Sequence, residues 1–336
     1  MKDLIHSFFS SPYRYWIIAS LIFTLFSIPV SIAQTPYPNK PISFIVPYGT
    51  SGSADLRSRQ VTQKMSVVLK QSFIVENKPG AGGNIGTEFI ARANPDGYTI
   101  GMGNFAPLAV NHALFKKLNF DPLNDLVPIT LIERGPLILM VRNDSPYKSV
   151  KDIVAAAKAE PGKLSYASGG IGGSHHLSGA LFEYTAGVDM IHAPYKSGAA
   201  ASTDLMGGQV DMLCDQTTQT ISVVKDNRVK VYGTTTPKRL SALPNVPTLD
   251  QEGLKGFEVK VWHGLYTPKN VPQAIQTKLN TALKAALNDP DVKKRLADSN
   301  IDVVSMDKVS ASGLKTHLDS EINKWGPVIR KANIPD

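Results

Sequence analysis

From residue 42 onward, short continuous apolar runs alternate with stretches in which apolar residues keep helical spacing. Ile42, Phe44, Ile45 and Val46 make a β-rich run that stops at Pro47, and the small, polar segment Tyr48-Gly49-Thr50-Ser51-Gly52-Ser53-Ala54-Asp55 follows. Val61, Met65, Val68 and Leu69 then mark one face of a helix. Strand, glycine-bearing loop and helix in this order present unpaired backbone donors and a partial positive charge, whose default guest is an anion. The same residues also read as an ordinary βα turn with Ser53 or Asp55 as N-cap.

A strand over 72–76 leads into a second glycine-rich loop, Asn77-Lys78-Pro79-Gly80-Ala81-Gly82-Gly83-Asn84-Ile85-Gly86, ahead of a helix over 88–92. A strand over 98–103 ends at Asn104-Phe105-Ala106-Pro107. This alternation predicts a parallel α/β sheet with ligand-facing loops at the strand C-termini. Strands over 126–132 and 137–142 bracket Glu133-Arg134-Gly135-Pro136, expected to be a crossing into a second lobe.

Ser149 opens a helix, with Asp152 three residues on and Val150, Ile153, Val154 and Ala157 on one face. The opening pattern then returns. A strand over 164–167 and the loop Ser168-Gly169-Gly170-Ile171-Gly172-Gly173-Ser174 precede a helix from His175 that carries Leu177, Ala180, Leu181 and Tyr184. One such unit in each lobe predicts two facing anion-binding walls. A strand over 190–193, a helix over 199–206 stopped by Gly207-Gly208, a strand over 210–213 ending in Cys214-Asp215 and a strand over 229–234 complete this lobe. The extended stretch 257–266 is expected to cross back. Three helices follow, one on Ile275, Leu279, Ala282, Leu283 and Ala286, one with Pro290 at N1, and one on Leu314, Leu318, Ile322, Trp325 and Ile329, expected to kink at Gly326-Pro327.

The predicted fold class is therefore α/β, with two lobes, each a mixed, mainly parallel sheet flanked by helices, joined by two crossing strands. Residues 34–136 and 261–336 are assigned to lobe one and 137–260 to lobe two.

The N-terminus follows a different rule. Lys2 and Arg14 precede an apolar run over 16–30, and Ser31-Ile32-Ala33 supplies small residues for cleavage, so 1–33 is expected to be a secretory signal peptide. That run is shorter than the ~20 residues a membrane span needs. The rest of the 336 residues, at 42% apolar and 19% charged overall, has a globular composition. The net charge of +8 is scattered, with short clusters such as Lys293-Lys294-Arg295 and Arg330-Lys331 and no dense basic block, which suits attraction of small anions better than nucleic acid. The single cysteine, Cys214, has no internal disulfide partner.

Catalytic and cofactor signatures are weak. None of the seven histidines forms an i, i+4 pair, so neither a metal nor another cofactor is expected. Ile85 stands where a dinucleotide fingerprint needs glycine, neither glycine loop carries a P-loop lysine, and neither Ser51 nor Ser174 lies in G-x-S-x-G. Cys214 beside Asp215 is a poor nucleophile. Asp55 and Asp215 form a catalytic pair only if the lobes close on a substrate; otherwise they tie down loop amides. His175 is read as a loop-facing donor, with capping or surface roles as the alternative. Arg134 is placed to reach a second ligand carboxylate in bidentate fashion, or to pair with Glu133.

At this point the residues resemble a known family. Tyr37-Pro38-Asn39-Lys40-Pro41-Ile42, the loop over 47–59, Glu76-Asn77-Lys78-Pro79-Gly80-Ala81-Gly82-Gly83-Asn84-Ile85-Gly86 and Asn94-Pro95-Asp96-Gly97-Tyr98-Thr99 resemble the substrate-binding proteins of tripartite tricarboxylate transporters, the TctC or Bug family. The likeness continues through Ala159-Glu160-Pro161-Gly162-Lys163-Leu164, His192-Ala193-Pro194-Tyr195-Lys196, Asp204-Leu205-Met206-Gly207-Gly208-Gln209-Val210-Asp211-Met212 and Leu243-Pro244-Asn245-Val246-Pro247-Thr248.

The resemblance implies a periplasmic binding protein of type II-like fold. Such a protein is not an enzyme: a monomer takes up a small carboxylate between its lobes and hands it to a permease of large and small transmembrane subunits. Carried onto this sequence, the ligand-binding residues are Tyr48, Thr50, Ser51, Gly52, Ser53 and Asp55, then Gly83, Asn84 and Asn104. From the second lobe come Ser168, Gly169, Gly170, Ser174, His175, Tyr195 and Asp215. The first loop departs from the family's usual Gly-Gly pair followed by Pro-Thr-Asp, which alters the hydroxyls around the carboxylate. Phe105, Phe182, Tyr195, Trp262 and Arg134 are the candidates for the distal half of the pocket, where they would suit an aromatic dicarboxylate such as terephthalate. Aliphatic di- and tricarboxylates, amino acids and nicotinate-like acids have precedents in the family. The rival readings are a secreted hydrolase or transferase using Asp55, His175 and Asp215, and a sensing module that presents its closed form to a signalling partner.

Overall fold

The computed structural model describes residues 36–115, 117–299, 301 and 310–332; the expected leader at 1–33 lies outside them. The first lobe opens with β1 (Ile42–Val46), α1 (Ser53–Leu69), β2 (Phe73–Asn77), α2 (Asn84–Ala91) and β3 (Thr99–Asn104), followed by a short π-turn and α3 (Asn111–Leu114). The long strand β4 (Leu126–Arg142) leads to α4 (Val150–Ala159), β5 (Ser165–Ser168), α5 (Ser174–Ala186), β6 (Ile191–Pro194), α6 (Gly198–Met206), β7 (Met212–Gln216), α7 (Thr217–Lys225) and β8 (Val229–Thr234). Strand β9 (Lys260–Pro268) returns, and α8 (Gln273–Asn288), α9 (Pro290–Asp298) and α10 (Ala311–Ala332) follow.

The strands run β2-β1-β3-β9-β4-β7-β5-β6, with β8 also on β4. Strand β1 is parallel to β2 and β3, and β5 to β6 and β7, whereas β9 is antiparallel to both β3 and β4. Each parallel set is covered by helices, which is why β1 is buried at four of five positions rather than alternating. In the second lobe Ile138, Met140, Ala167, Ala201, Leu205 and Leu213 form one buried cluster.

The crossing differs from expectation. Glu133-Arg134-Gly135-Pro136 does not interrupt two strands; β4 runs through it unbroken, pairing with β9 up to Pro136 and with β7 and β8 from Leu137. A charged residue can sit inside this buried strand because Glu133 meets Arg57 there. Thr235 ties both crossing strands together. Its hydroxyl accepts from Leu137 N–H at 2.9 Å and donates to Val259 O at 2.6 Å.

Local signals behave as chemistry dictates. Ser149 Oγ caps α4 by accepting from Asp152 N–H at 3.1 Å, and Asp289 caps α9 with Pro290 at the first helical position. Helix α2 starts at Asn84, one turn earlier than expected. Helix α10 spans Ala311–Ala332, running through Gly326-Pro327, and it buries Leu314, Leu318, Trp325 and Ile329. Helix α7 was not anticipated: Thr217-Thr218-Gln219-Thr220-Ile221-Ser222-Val223-Val224 is rich in β-branched residues, which are poor helix formers. No helix among the described residues is long and apolar enough to cross a membrane.

Candidate ligand-binding site

Where the strand C-termini of the two lobes face each other lies a cavity of about 30 Å³. It has room for on the order of two water molecules. Tyr48, Gly52, Ser53, Ala54, Asn104 and His263 line it from the first lobe, and Gly169, Gly173, Ser174, His175, Ser197, Gly198, Gln216 and Gln219 from the second. Among the described residues, the lining holds no lysine, arginine, aspartate or glutamate.

Four helix N-termini converge on it. Helix α1 begins after Gly52 and α5 after Gly173, and neither has a side-chain cap. The first bond of α1 runs from Leu56 N–H to Gly52 O and that of α5 from Leu177 N–H to Gly173 O. The amides of Ser53, Ala54 and Asp55, and those of Ser174, His175 and His176, thus lie ahead of the ladder, where a helix has no carbonyl for them. Helix α7 starts after Gln216, also without a side-chain cap, whereas Ser197 caps α6 by accepting from Ala200 N–H at 3.2 Å. Each N-terminus adds a partial positive charge.

The glycine loops act mainly as braces. Gly169 N–H donates to His175 Nδ1 at 3.1 Å, Gly170 N–H to Ser168 Oγ at 3.1 Å and Gly172 N–H to His176 Nδ1 at 3.0 Å. His175 is thereby fixed at both nitrogens: Nδ1 accepts, so the ring proton sits on Nε2, which donates to Asp215 Oδ1 at 2.7 Å. Its ring therefore positions Gly169, while its backbone belongs to the open end of α5.

The first loop is organised by Asp55. Its carboxylate accepts from Ser51 N–H at 3.0 Å, Asn77 Nδ2 at 3.0 Å and Arg59 Nε at 3.1 Å. Burial raises its pKa, but these partners outweigh burial and hold it below the usual carboxylate range. Gly52, not Ser53 or Asp55, is the N-cap. The Tyr48 hydroxyl donates to Asn104 Oδ1 at 2.8 Å, and burial pushes this phenol far up. Asn104 Oδ1 also accepts Ala106 N–H at 3.1 Å.

Of the residues expected at the site, Tyr48, Gly52, Ser53, Asn104, Gly169, Ser174 and His175 line the cavity. The others stand elsewhere. Thr50 and Ser51 are exposed, Gly83 backs the Tyr48 hydroxyl, and Asn84 accepts from Asn111 Nδ2 at 2.8 Å. Ser168 holds His192, with 2.6 Å from Oγ to Nε2; Gly170 sits at a positive φ of 130°, and Asp215 lies fully buried behind His175. The aromatic wall is absent from the cavity. Phe105 packs edge-on against Trp325, while Phe182 and Trp262 are fully buried, and Tyr195 packs against the second-lobe core. Arg134 pairs in register with Trp262, on the other face of the strand from Glu133, whose carboxylate goes to Arg57.

Sequence reasoning passed over Ser197, Gly198, Gln216, Gln219 and His263. The signal for His263 was available in principle, since a histidine in the apolar run Val261-Trp262-His263-Gly264-Leu265 must satisfy a buried ring.

The walls touch. A Cβ at Gly49 would sit 3.0 Å from Lys196 O and 3.1 Å from Ser197 Cβ, and one at Gly82 would overlap Ile171 O. Two α/β lobes on two crossing strands, shut over a polar cleft ringed by helix N-termini, define a two-lobed binding protein.

Residues 57–334 match the tripartite tricarboxylate transporter family receptors, TctC, and the chain belongs to this family. It is a periplasmic solute-binding receptor of the TctC/Bug type. Among solved structures it is similar to the periplasmic binding protein BugD, with 35% identity, a TM-score of 0.85, and 89% of this chain and 99% of that one covered. MatC from Rhodopseudomonas palustris, with bound malate, shares 31% identity at a TM-score of 0.85 over 87% of this chain and 100% of that one. A second R. palustris protein, solved with adipate, shares 29% identity at a TM-score of 0.84 over 89% and 99%.

Proposed function

We propose that this receptor captures a small aliphatic dicarboxylate between its lobes and delivers it to a membrane permease of the tripartite tricarboxylate type. The observation that carries the reading is the convergence of four helix N-termini on a cavity whose lining has no formal cation or anion. Oriented amides favour an anion there without the cost of a buried ammonium. One carboxylate is assigned to the open first turns of α1 and α5, at Ser53 and Ser174. With Asn104 Oδ1 committed to Tyr48 and Ala106, the Asn104 amide nitrogen is a further donor. Gln216 and Gln219 complete the polar lining.

Malate in MatC and adipate in its relative point the same way. The ligand enters an open form of the two lobes and its binding favours closure. Lobe one is assigned to 34–136 and 261–336 and lobe two to 137–260, with a cleaved leader at 1–33 and a monomeric mature protein. The chain is assigned no catalytic role: His175, the base of any hydrolytic scheme, has both ring nitrogens occupied.

A thermal-shift panel of malate, succinate, adipate, citrate, aspartate and terephthalate tests the assignment. Stabilisation of about 2.7 kcal/mol is expected for an aliphatic dicarboxylate at a hundred times its Kd. Silence across the panel would sink the carboxylate reading, and a response to terephthalate alone would sink the aliphatic one.

A further inference from the structure

His263 Nε2 is a buried nitrogen with no hydrogen-bond partner, on a side chain that is 1% exposed and lines the cavity. The opposite nitrogen is committed: Nδ1 lies 2.7 Å from Glu133 Oε1. Glu133 in turn meets Arg57 Nε through its other oxygen at 2.5 Å, and Arg57 also donates to Gln60 Oε1. Arg57, Glu133 and His263 are each at least 98% buried. A carboxylate bridged by a guanidinium and an imidazole is thus set into the sheet directly beneath the cleft. Buried polar atoms are almost always paired, and one left open at a ligand site marks the ligand's place.

We propose that Nε2 of His263 is the acceptor of a proton taken up when the ligand binds, so that the imidazolium formed there holds the dicarboxylate's far end. This inference rests on the carboxylate reading above. Because Nδ1–H already faces Glu133, an arriving proton has only Nε2 to occupy, and Nε2–H then donates to a ligand oxygen. The bond formed is N–H, the proton comes from solvent, and nothing is oxidised or reduced.

The charge balance favours it. Arg57 and Glu133 cancel, and burial, which raises the Glu133 pKa, is outweighed by Arg57 and His263, so the carboxylate stays below its usual range. The other titratable groups toward the cavity are the Tyr48 phenol on the first-lobe side and, across the cleft, His175 with Asp215 behind it. Arg134, His317 and Glu321 lie on the opposite face of β9, where Trp262 packs edge-on to His317. Among the described residues, no lysine or arginine reaches the cavity lining. A second carboxylate sealed there needs a counter-charge, and an unpaired buried anion is strongly disfavoured. Histidine is the side chain that gains one near neutral pH.

Calorimetric titration of the intact protein decides the matter. Any member of the thermal-shift panel that binds, malate first, is titrated near pH 8 in phosphate and in Tris, whose different ionisation heats reveal proton transfer. Close to one proton should be taken up by the wild type, and the apparent Kd should weaken toward tenfold per pH unit on the alkaline side. His263→Gln keeps a polar group near Nε2 but cannot charge, so uptake should vanish and affinity should become independent of pH. Binding without uptake in the wild type, or equal uptake in His263→Gln, overturns the inference and leaves the carboxylate reading standing. If no acid on the panel binds, both fall. The wild-type arm decides alone should the variant fail to fold.

Discussion

The imidazole rings of His176 and His192 lie face to face, with 4.0 Å between centroids and 12° between planes. Tyr166 stacks beyond His192 at 5.0 Å. The stack sits behind the second lobe's glycine loop, Ser168 to Ser174, and holds it at two points, through Gly172 N–H on His176 Nδ1 and Ser168 Oγ on His192 Nε2. Burial lowers the His176 pKa to about 3, helped by His192, and burial alone lowers that of His192 to about 4. Two stacked rings at this distance cannot both carry charge cheaply.

Acid should therefore loosen the second lobe. Both folded values lie below 6.5, so the unfolded chain takes up protons first as pH falls, and stability that is complete above 6.5 drains away down to about 4 for His192 and about 3 for His176. The loss at His176 alone should be about 2 kcal/mol between pH 7 and 5. Urea midpoints at the two pH values measure it, and His176→Phe should remove the His176 share of the difference while His192 keeps its own. Equal midpoints in the wild type would contradict the stack's neutral state.

Gly49 separates closure from folding. Its φ is not in the left-handed region, yet a Cβ there would press on Lys196 O across the cleft. Gly49→Val should leave thermal stability within about 0.5 kcal/mol, typical of a surface change. Ligand affinity should fall tenfold or more, about 1.4 kcal/mol. Unchanged affinity would mean that binding needs no contact between these walls.

Ser174→Asp should move stability and binding in opposite directions. A carboxylate in the uncapped first turn of α5 complements the helix dipole and adds about 0.3–1 kcal/mol to stability. It also occupies the anion's place with like charge. Binding of the acid that stabilises the wild type should be lost in the same sample whose melting temperature rises; retained binding would remove α5 from the site.

Arg57→Met strips the counter-charge from Glu133 inside the sheet. Breaking a buried pair from one side costs about 3–5 kcal/mol, and a chemical denaturation curve should show it. A loss below about 1 kcal/mol, the range of an exposed pair, would mean that Glu133 is not dry.

The parts of the fold legible in the sequence were those set by local rules. The apolar run Ile42–Val46, the Ser149 cap and Pro290 at N1 each depend on neighbours a few residues away, and each lies where expected. The glycine loops were legible as loops but not as braces. Whether the Gly169 and Gly172 amides face a ligand or His175 and His176 is decided by two helical side chains, which a pattern of glycines does not report. The distal pocket was misjudged for a similar reason: Phe105 and Trp262 carry large apolar area, and the core of the first lobe claims them before the cleft can. Gln216, Gln219 and His263 arrive at the cavity from separate strands and helices, so only the closed topology brings them together.

Cys214, on β7 beside the buried Asp215, is 2% exposed, and burial with that carboxylate pushes its thiol up to about 12. The thiolate is the nucleophile that attacks an alkylating reagent, so this sulfur is silent while the second lobe is folded and becomes reactive only when the lobe opens to solvent. The protein thus carries its own clock for unfolding: with one thiol in the whole sequence, the rate of mass gain in a maleimide solution counts the openings of a single lobe, and ligand that clamps the cleft should slow the count.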